Sequence, residues 1–174
     1  MPTVDPFAIP TPALYHGSYL AEVVSVEDPE SIGRVQIRLF NFDGVTDHDG
    51  PIWARTAVPF AGADRGAFFL PDVGDEVVVN FLNGDPRLPI VVGGLWNGQD
   101  SPPEQLGGSR VDRWTLVGKA GTRIAIVEAD QPTISFTTPG GVSGTITDEG
   151  GGKVEFVAAG STVTIDSSGV SIDT

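Results

Sequence analysis

Chemistry in this chain of 174 residues would have to come from carboxylates, because it has no Cys and only two His, His16 and His48. Asp47, His48 and Asp49 are the one run of metal-ligating types. They sit in a polar loop from Asn41 to Gly50 without evident further ligands, so they read as solvated turn residues. Asp72, Asp75 and Glu76 have the residue types of a calcium loop but not EF-hand spacing, and turn and strand-start roles account for them. Asp28 and Glu30 likewise read as turn residues. Ser and Thr are plentiful, yet no His is placed to activate a hydroxyl, and nothing marks a carboxylate pair as acid and base in a cleft. No enzymatic activity, cofactor or metal is expected.

The charge balance narrows the partners. Residues 1–100 carry 14 Asp and Glu against 5 Lys and Arg, a difference of −9, and residues 101–174 carry 9 against 5, a difference of −4. Together they make the net −13, which repels a phosphate backbone and removes the largest favourable term for nucleic-acid binding. Phe40, Phe42 and Trp53 therefore read as core or interface residues rather than base-stacking platforms. No segment approaches the roughly 18 apolar residues of a membrane span. The first residues lack the basic and apolar regions of a signal peptide, so synthesis and assembly in the cytosol are expected.

The elements that must position these residues are strands. Pro2, Pro6, Pro10 and Pro12, with Phe7, Ile9, Leu14 and Tyr15 between them, forbid a helix over 1–17 and favour an extended arm, either frayed or laid along a neighbouring subunit. Tyr19 to Val26 forms a first strand. Gly33 to Phe40 alternates, with Val35, Ile37 and Leu39 on one face and Arg34, Gln36 and Arg38 on the other. Ile52 to Val58 gives a third strand carrying Trp53, and a loop from Gly62 to Pro71 follows. A turn from Pro71 to Gly74 launches a strand rich in Val and Phe, which Asn83, Gly84, Asp85 and Pro86 reverse into a second strand over Leu88 to Val92; Asn-Gly suits positive φ there. Five short strands without a helical period suit a small closed barrel of the OB type over 18–96, which removes sheet edges.

Residues 97–111 read as a linker, and 112–174 have a different texture. Apolar pairs recur around a polar residue: Ile124/Ile126, Ile134/Phe136, Val154/Phe156, Val163/Ile165 and Val170/Ile172. Ile146 marks one further short strand, which makes six. Each unit has too few inward side chains to close a core alone. Either the strands coil as a solenoid, or several chains pool their apolar stripes around one axis. The second fits the short units better and predicts an intertwined threefold β-prism about 25–30 Å long.

The wording of the barrel strands is more specific than their pattern. Gly33 to Arg38 (GRVQIR) and Trp53 to Thr56 (WART) are similar to consecutive strands of phage baseplate assembly protein V and VgrG-type spike proteins. So is the run Pro59 to Gly62, Gly66, then Phe69, Leu70, Pro71, Val73, Gly74, Asp75, Glu76 and Val77. Phe81, Leu82, Gly84, Asp85, Pro86, Pro89, Val91 and Gly93 resemble the same family's hairpin. The likeness is close over residues 19 to about 104; beyond 114 only the texture is similar.

That resemblance implies the central spike of a contractile injection machine, in a phage tail, a tailocin or an extracellular relative. It implies an all-β homotrimer: OB barrels around a threefold axis, docked on a tail hub, above an intertwined triple-stranded β-helix that crosses a membrane only during piercing. Arg34, Trp53, Asp75, Glu76, Gly84, Asp85 and Pro86 become hub-facing or inter-subunit candidates. Trp96 and Trp114 become junction residues, and the paired apolar residues with Ile146 become the trimer core. Two departures matter. The linker has no room for the lysozyme that larger spikes insert, and the end of the sequence (Ile172, Asp173, Thr174) lacks an iron-holding His pair, which implies a separate PAAR-like tip protein. Arg110, Arg113, Lys119 and Arg123 are placed to pair with a neighbouring chain. The alternative is a monomeric OB-fold binding module with a solenoid or flexible β-rich tail.

Overall fold

The computed structural model describes residues 14–42 and 50–174. The expected arm up to Thr11, Pro12 and Ala13, and the run Asp47, His48 and Asp49, lie outside the described residues. The chain divides into two compact units, Met1–Ser101 and Pro102–Thr174.

The first unit is built on β1 (Tyr19–Ser25), β2 (Arg34–Leu39), β3 (Ile52–Thr56), the miniature hairpin β4 (Ala61–Gly62) and β5 (Arg65–Gly66), β6 (Glu76–Phe81) and β7 (Pro89–Gly94). Five of them close a barrel in the order β1-β2-β3-β7-β6, with β3 and β7 parallel and every other pair antiparallel. This five-stranded closed barrel is an OB-type architecture. Its core is Ala21, Val23, Val35, Ile37, Ala54, Val77, Val79, Phe81 and Val91, one inward residue in two along each strand. The alternation expected for β2 holds, with Val35 and Ile37 fully buried.

Several details differ from the expectation. The loop expected from Gly62 to Pro71 overlaps the β4–β5 hairpin, which turns at Asp64 with φ 54°. The β6–β7 connection is longer than a tight turn: a 3-10 turn at Leu82–Gly84 places Asn83 at φ 53° and Gly84 at φ 74°, and β7 begins only at Pro89. Pro86 stands in this loop, where its missing N–H leaves no ladder bond unmade. Trp53 is not a core residue. Its neighbour Ala54 takes the inward position, and the Trp53 ring lies outside beneath the Arg34 guanidinium, 5.4 Å from its centroid.

The second unit is one open antiparallel sheet of seven strands in sequence order: β8 (Arg113–Val117), β9 (Arg123–Val127), β10 (Thr133–Thr137), β11 (Ser143–Thr147), β12 (Lys153–Ala158), β13 (Ser161–Asp166) and β14 (Gly169–Asp173). The six-strand expectation missed β8, whose apolar pair Trp114 and Leu116 directly follows the Gly- and Pro-rich linker. Each strand bonds to its neighbours in its own chain through short turns, so within one chain the repeat is a meander rather than a solenoid coil. At about 4.8 Å per strand the sheet is about 29 Å across.

Candidate interaction surfaces

The register of the second unit sorts its residues by face. One row runs Trp114, Ile126, Ile134, Ile146, Val154, Ile165, Val170, each opposite the next across the ladder. A second row on the same face runs Leu116, Ile124, Phe136, Gly144, Phe156, Val163, Ile172. Between them, pointing the other way, stand Thr115, Ala125, Ser135, Thr145, Glu155, Thr164 and Ser171. Every expected trimer-core residue therefore falls in two unbroken apolar rows. Trp114, expected at the junction, belongs to the first of them.

Gly144 explains why Ile146 lacked a partner in the sequence pattern. A Cβ built on Gly144 would stand 2.3 Å from Phe136 Cε1 and 2.8 Å from Phe156 Cδ1, so the two flanking rings occupy the volume its side chain would need. The rings lie 6.2 Å apart, and they continue the row across the gap, an aromatic cover for a glycine within a sheet. Eleven of the thirteen apolar side chains in the two rows are 39–69% exposed in a single chain. A contiguous apolar face of this size marks an interaction surface.

The polar face is engaged locally. Glu104, from the segment before β8, accepts a 2.8 Å bond from the Thr115 hydroxyl and pairs with Arg123 and Arg113. The Arg123 hydrogen bond, then Thr115, holds the Glu104 carboxyl below the usual range. Asp112 also pairs with Arg113 at 2.8 Å. Arg113 and Arg123 thus find carboxylates in their own chain instead of waiting for a neighbour's, because the linker returns across the first hairpin.

On the barrel, Arg34 anchors the β1–β2 loop. Its guanidinium meets Asp28 at 2.7 Å and Glu30 at 3.1 Å, and Asp28 also accepts the backbone N–H groups of Glu30, Ile32 and Arg34. Asp28 is far more than a solvated turn residue, since its side chain is only 6% exposed. Its carboxyl is held well below the usual range, chiefly by Arg34, against the opposing effect of burial. No sequence signal marked that burial, because it depends on Arg34 folding back six residues.

Gly84, Asp85 and Asp75 serve loops. Tyr15 donates its backbone N–H to the Gly84 carbonyl at 2.9 Å, and a Cβ at Gly84 would meet Leu14 Cβ at 3.1 Å. Tyr15 and Tyr19 pack on Phe81 with centroids at 4.9 and 5.4 Å. Leu14 and Tyr15, at the end of the expected arm, rest on their own barrel. Asp85 accepts from Arg87, which lowers its carboxyl to about 2. Asp75 accepts the Asp72 N–H at 2.8 Å, while Gly74, at φ 93°, donates to the Val23 carbonyl at 2.8 Å. That turn fixes where β6 starts beside β1. Trp96 is 66% exposed beside Asp75, Glu76 and Asp100. Among the described residues no three His, Asp or Glu side chains gather as a metal site.

The chain thus pairs a closed barrel with a strand-repeat sheet whose apolar face is open in a single chain. Residues 19–96 match the Type VI secretion system/phage-baseplate injector OB domain, and the barrel belongs to that family. The chain is 34% identical over 96 residues to the Type VI secretion system spike protein VgrG3 of Vibrio cholerae, covering 52% of this chain and 9% of the relative. It is 35% identical over 96 residues to the actin cross-linking toxin VgrG1 of Vibrio cholerae, with the same shares covered. It is 33% identical over 79 residues to the spike protein VgrG1a of Pseudomonas aeruginosa, covering 44% of this chain and 12% of the relative. The chain thus spans about a tenth of the length of these relatives. No helix among its described residues is long and apolar enough to cross a membrane.

Proposed function

We propose that the chain is the non-enzymatic central spike of a contractile injection machine, working as a homotrimer. The observation that carries this reading is the apolar face of the seven-stranded sheet. Burying it against equivalent faces of two further copies would give a three-walled prism with Trp114, Ile126, Ile134 and their rows toward the axis and Thr, Ser and Glu155 outward. The sheet requires only that something apolar cover it; the number three comes from the family resemblance. In such a needle the chains cannot unfold one at a time, which makes the rod resistant to the load of piercing. The barrels would dock to the tail hub, and a separate PAAR-like protein would meet the end formed by Ile172, Asp173 and Thr174.

Thermal unfolding at several protein concentrations tests this. A trimer that unfolds as it dissociates has a midpoint that rises with chain concentration. A midpoint independent of concentration, with reversible unfolding of a single chain, would favour a monomeric OB-fold binding module with a β-rich tail.

A further inference from the structure

The barrel surface carries two features that neither the fold nor the needle uses. The first is a groove of about 700 Å3 beyond the end of β3, lined by Ile32, Val58, Phe60, Phe68 and Leu70, with Arg55, Asp64 and Arg65 on its walls. Its apolar groups stand well clear of the core: Phe68 is 81% exposed and Ile32 64%. Arg55 forms no ion pair among the described residues, whereas Arg34, directly opposite it in the β2–β3 register, is held by Asp28 and Glu30. The Thr56 hydroxyl, behind the groove wall, is buried without a hydrogen-bond partner among the described residues. An exposed apolar hollow beside an arginine that forms no ion pair among the described residues has the makeup of one half of a contact.

The second feature has the complementary character. At the start of β6 and the end of β7, Asp75, Glu76 and Asp100 surround a hollow of about 410 Å3 with Leu95 and Trp96. Glu76 stands directly opposite Glu22 across the β1–β6 ladder, so like charges adjoin there. An exposed indole among carboxylates has the makeup of an interface anchor.

We infer that these are the two halves of one contact between neighbouring copies: the Arg55 groove of one barrel takes Trp96 and its flanking carboxylates from the next. The inference rests on the homotrimer reading, because a closed threefold ring needs a heterologous contact in which one patch meets a different patch. Arg55 would gain a carboxylate and an aromatic face. The needle would then be aligned by its barrels as well as by its own apolar face.

Because the chain has no Cys, the contact can be tested by site-specific crosslinking of the full chain. Chains carrying Arg55→Cys and chains carrying Asp100→Cys, with different tags, are co-expressed and oxidised. A disulfide-linked species bearing both tags is expected, while neither variant links to itself. Glu76→Cys in place of Asp100→Cys provides a second pair should the first be offset in position. The mass of the unmodified chain is measured alongside. A trimer that gives no mixed-tag product in either pair overturns this contact but leaves the trimer standing; a monomer removes both. Linkage of Arg55→Cys to itself would overturn the heterologous geometry.

Discussion

Gly144 is where the second unit is least forgiving of an added atom, since its missing Cβ is the space that the Phe136 and Phe156 rings fill. Gly144→Val forces these rings apart, and a destabilisation of about 1–3 kcal/mol is expected, as for other overpacked sites. Denaturant unfolding measures it. At the barrel's ion-paired loop the expected effect depends on pH. Asp28 has its folded pKa below the ordinary 3.8, so unfolding takes up protons in acid. Its contribution is complete above the unfolded pKa and fades as pH falls toward the folded one. The Asp85 carboxyl, lowered to about 2, acts in the same direction between about 4 and 2. Melting temperature should therefore fall from pH 4 to pH 2, with a shallower slope in Asp28→Asn. Asp85→Asn should change the slope less, because its partner Arg87 is 86% exposed and well screened by solvent.

At the scale of the elements, the two faces of the seven-stranded sheet should answer mutation differently. Ile134→Asp puts a charge in the middle of the apolar rows and should abolish assembly. Thr164→Lys, on the other face opposite Glu155, should leave it intact. Size-exclusion chromatography of both variants checks this, and equal behaviour would contradict a buried apolar face. These elements were partly legible in the sequence for physical reasons. Period-two alternation reported Val35 and Ile37 because that face of β2 turns into the core, and five apolar pairs with the lone Ile146 reported six of the seven strands. The β8 strand was obscured by the turn-rich linker before it, and the β11 pattern by Gly144, whose place in the row is taken by rings from other strands. The Tyr15 contact with Gly84 and the Glu104 contacts with Arg113 and Arg123 are tertiary, so local pattern could not announce them.

Across the whole molecule, the two units treat apolar surface differently. The barrel buries its own core completely, with six side chains of Val or Ile size essentially inaccessible. The seven-stranded sheet does the opposite and leaves its apolar rows open in one chain. A chain with net charge −13 disperses well between particles, yet that repulsion cannot cover a contiguous apolar face. The proposed coverage by further copies would reconcile the two. The most direct test is the absolute mass in solution by light scattering, at two concentrations. The account predicts three copies of the 18.2 kDa chain, about 55 kDa, at both. A species of one chain's mass at both concentrations would contradict it.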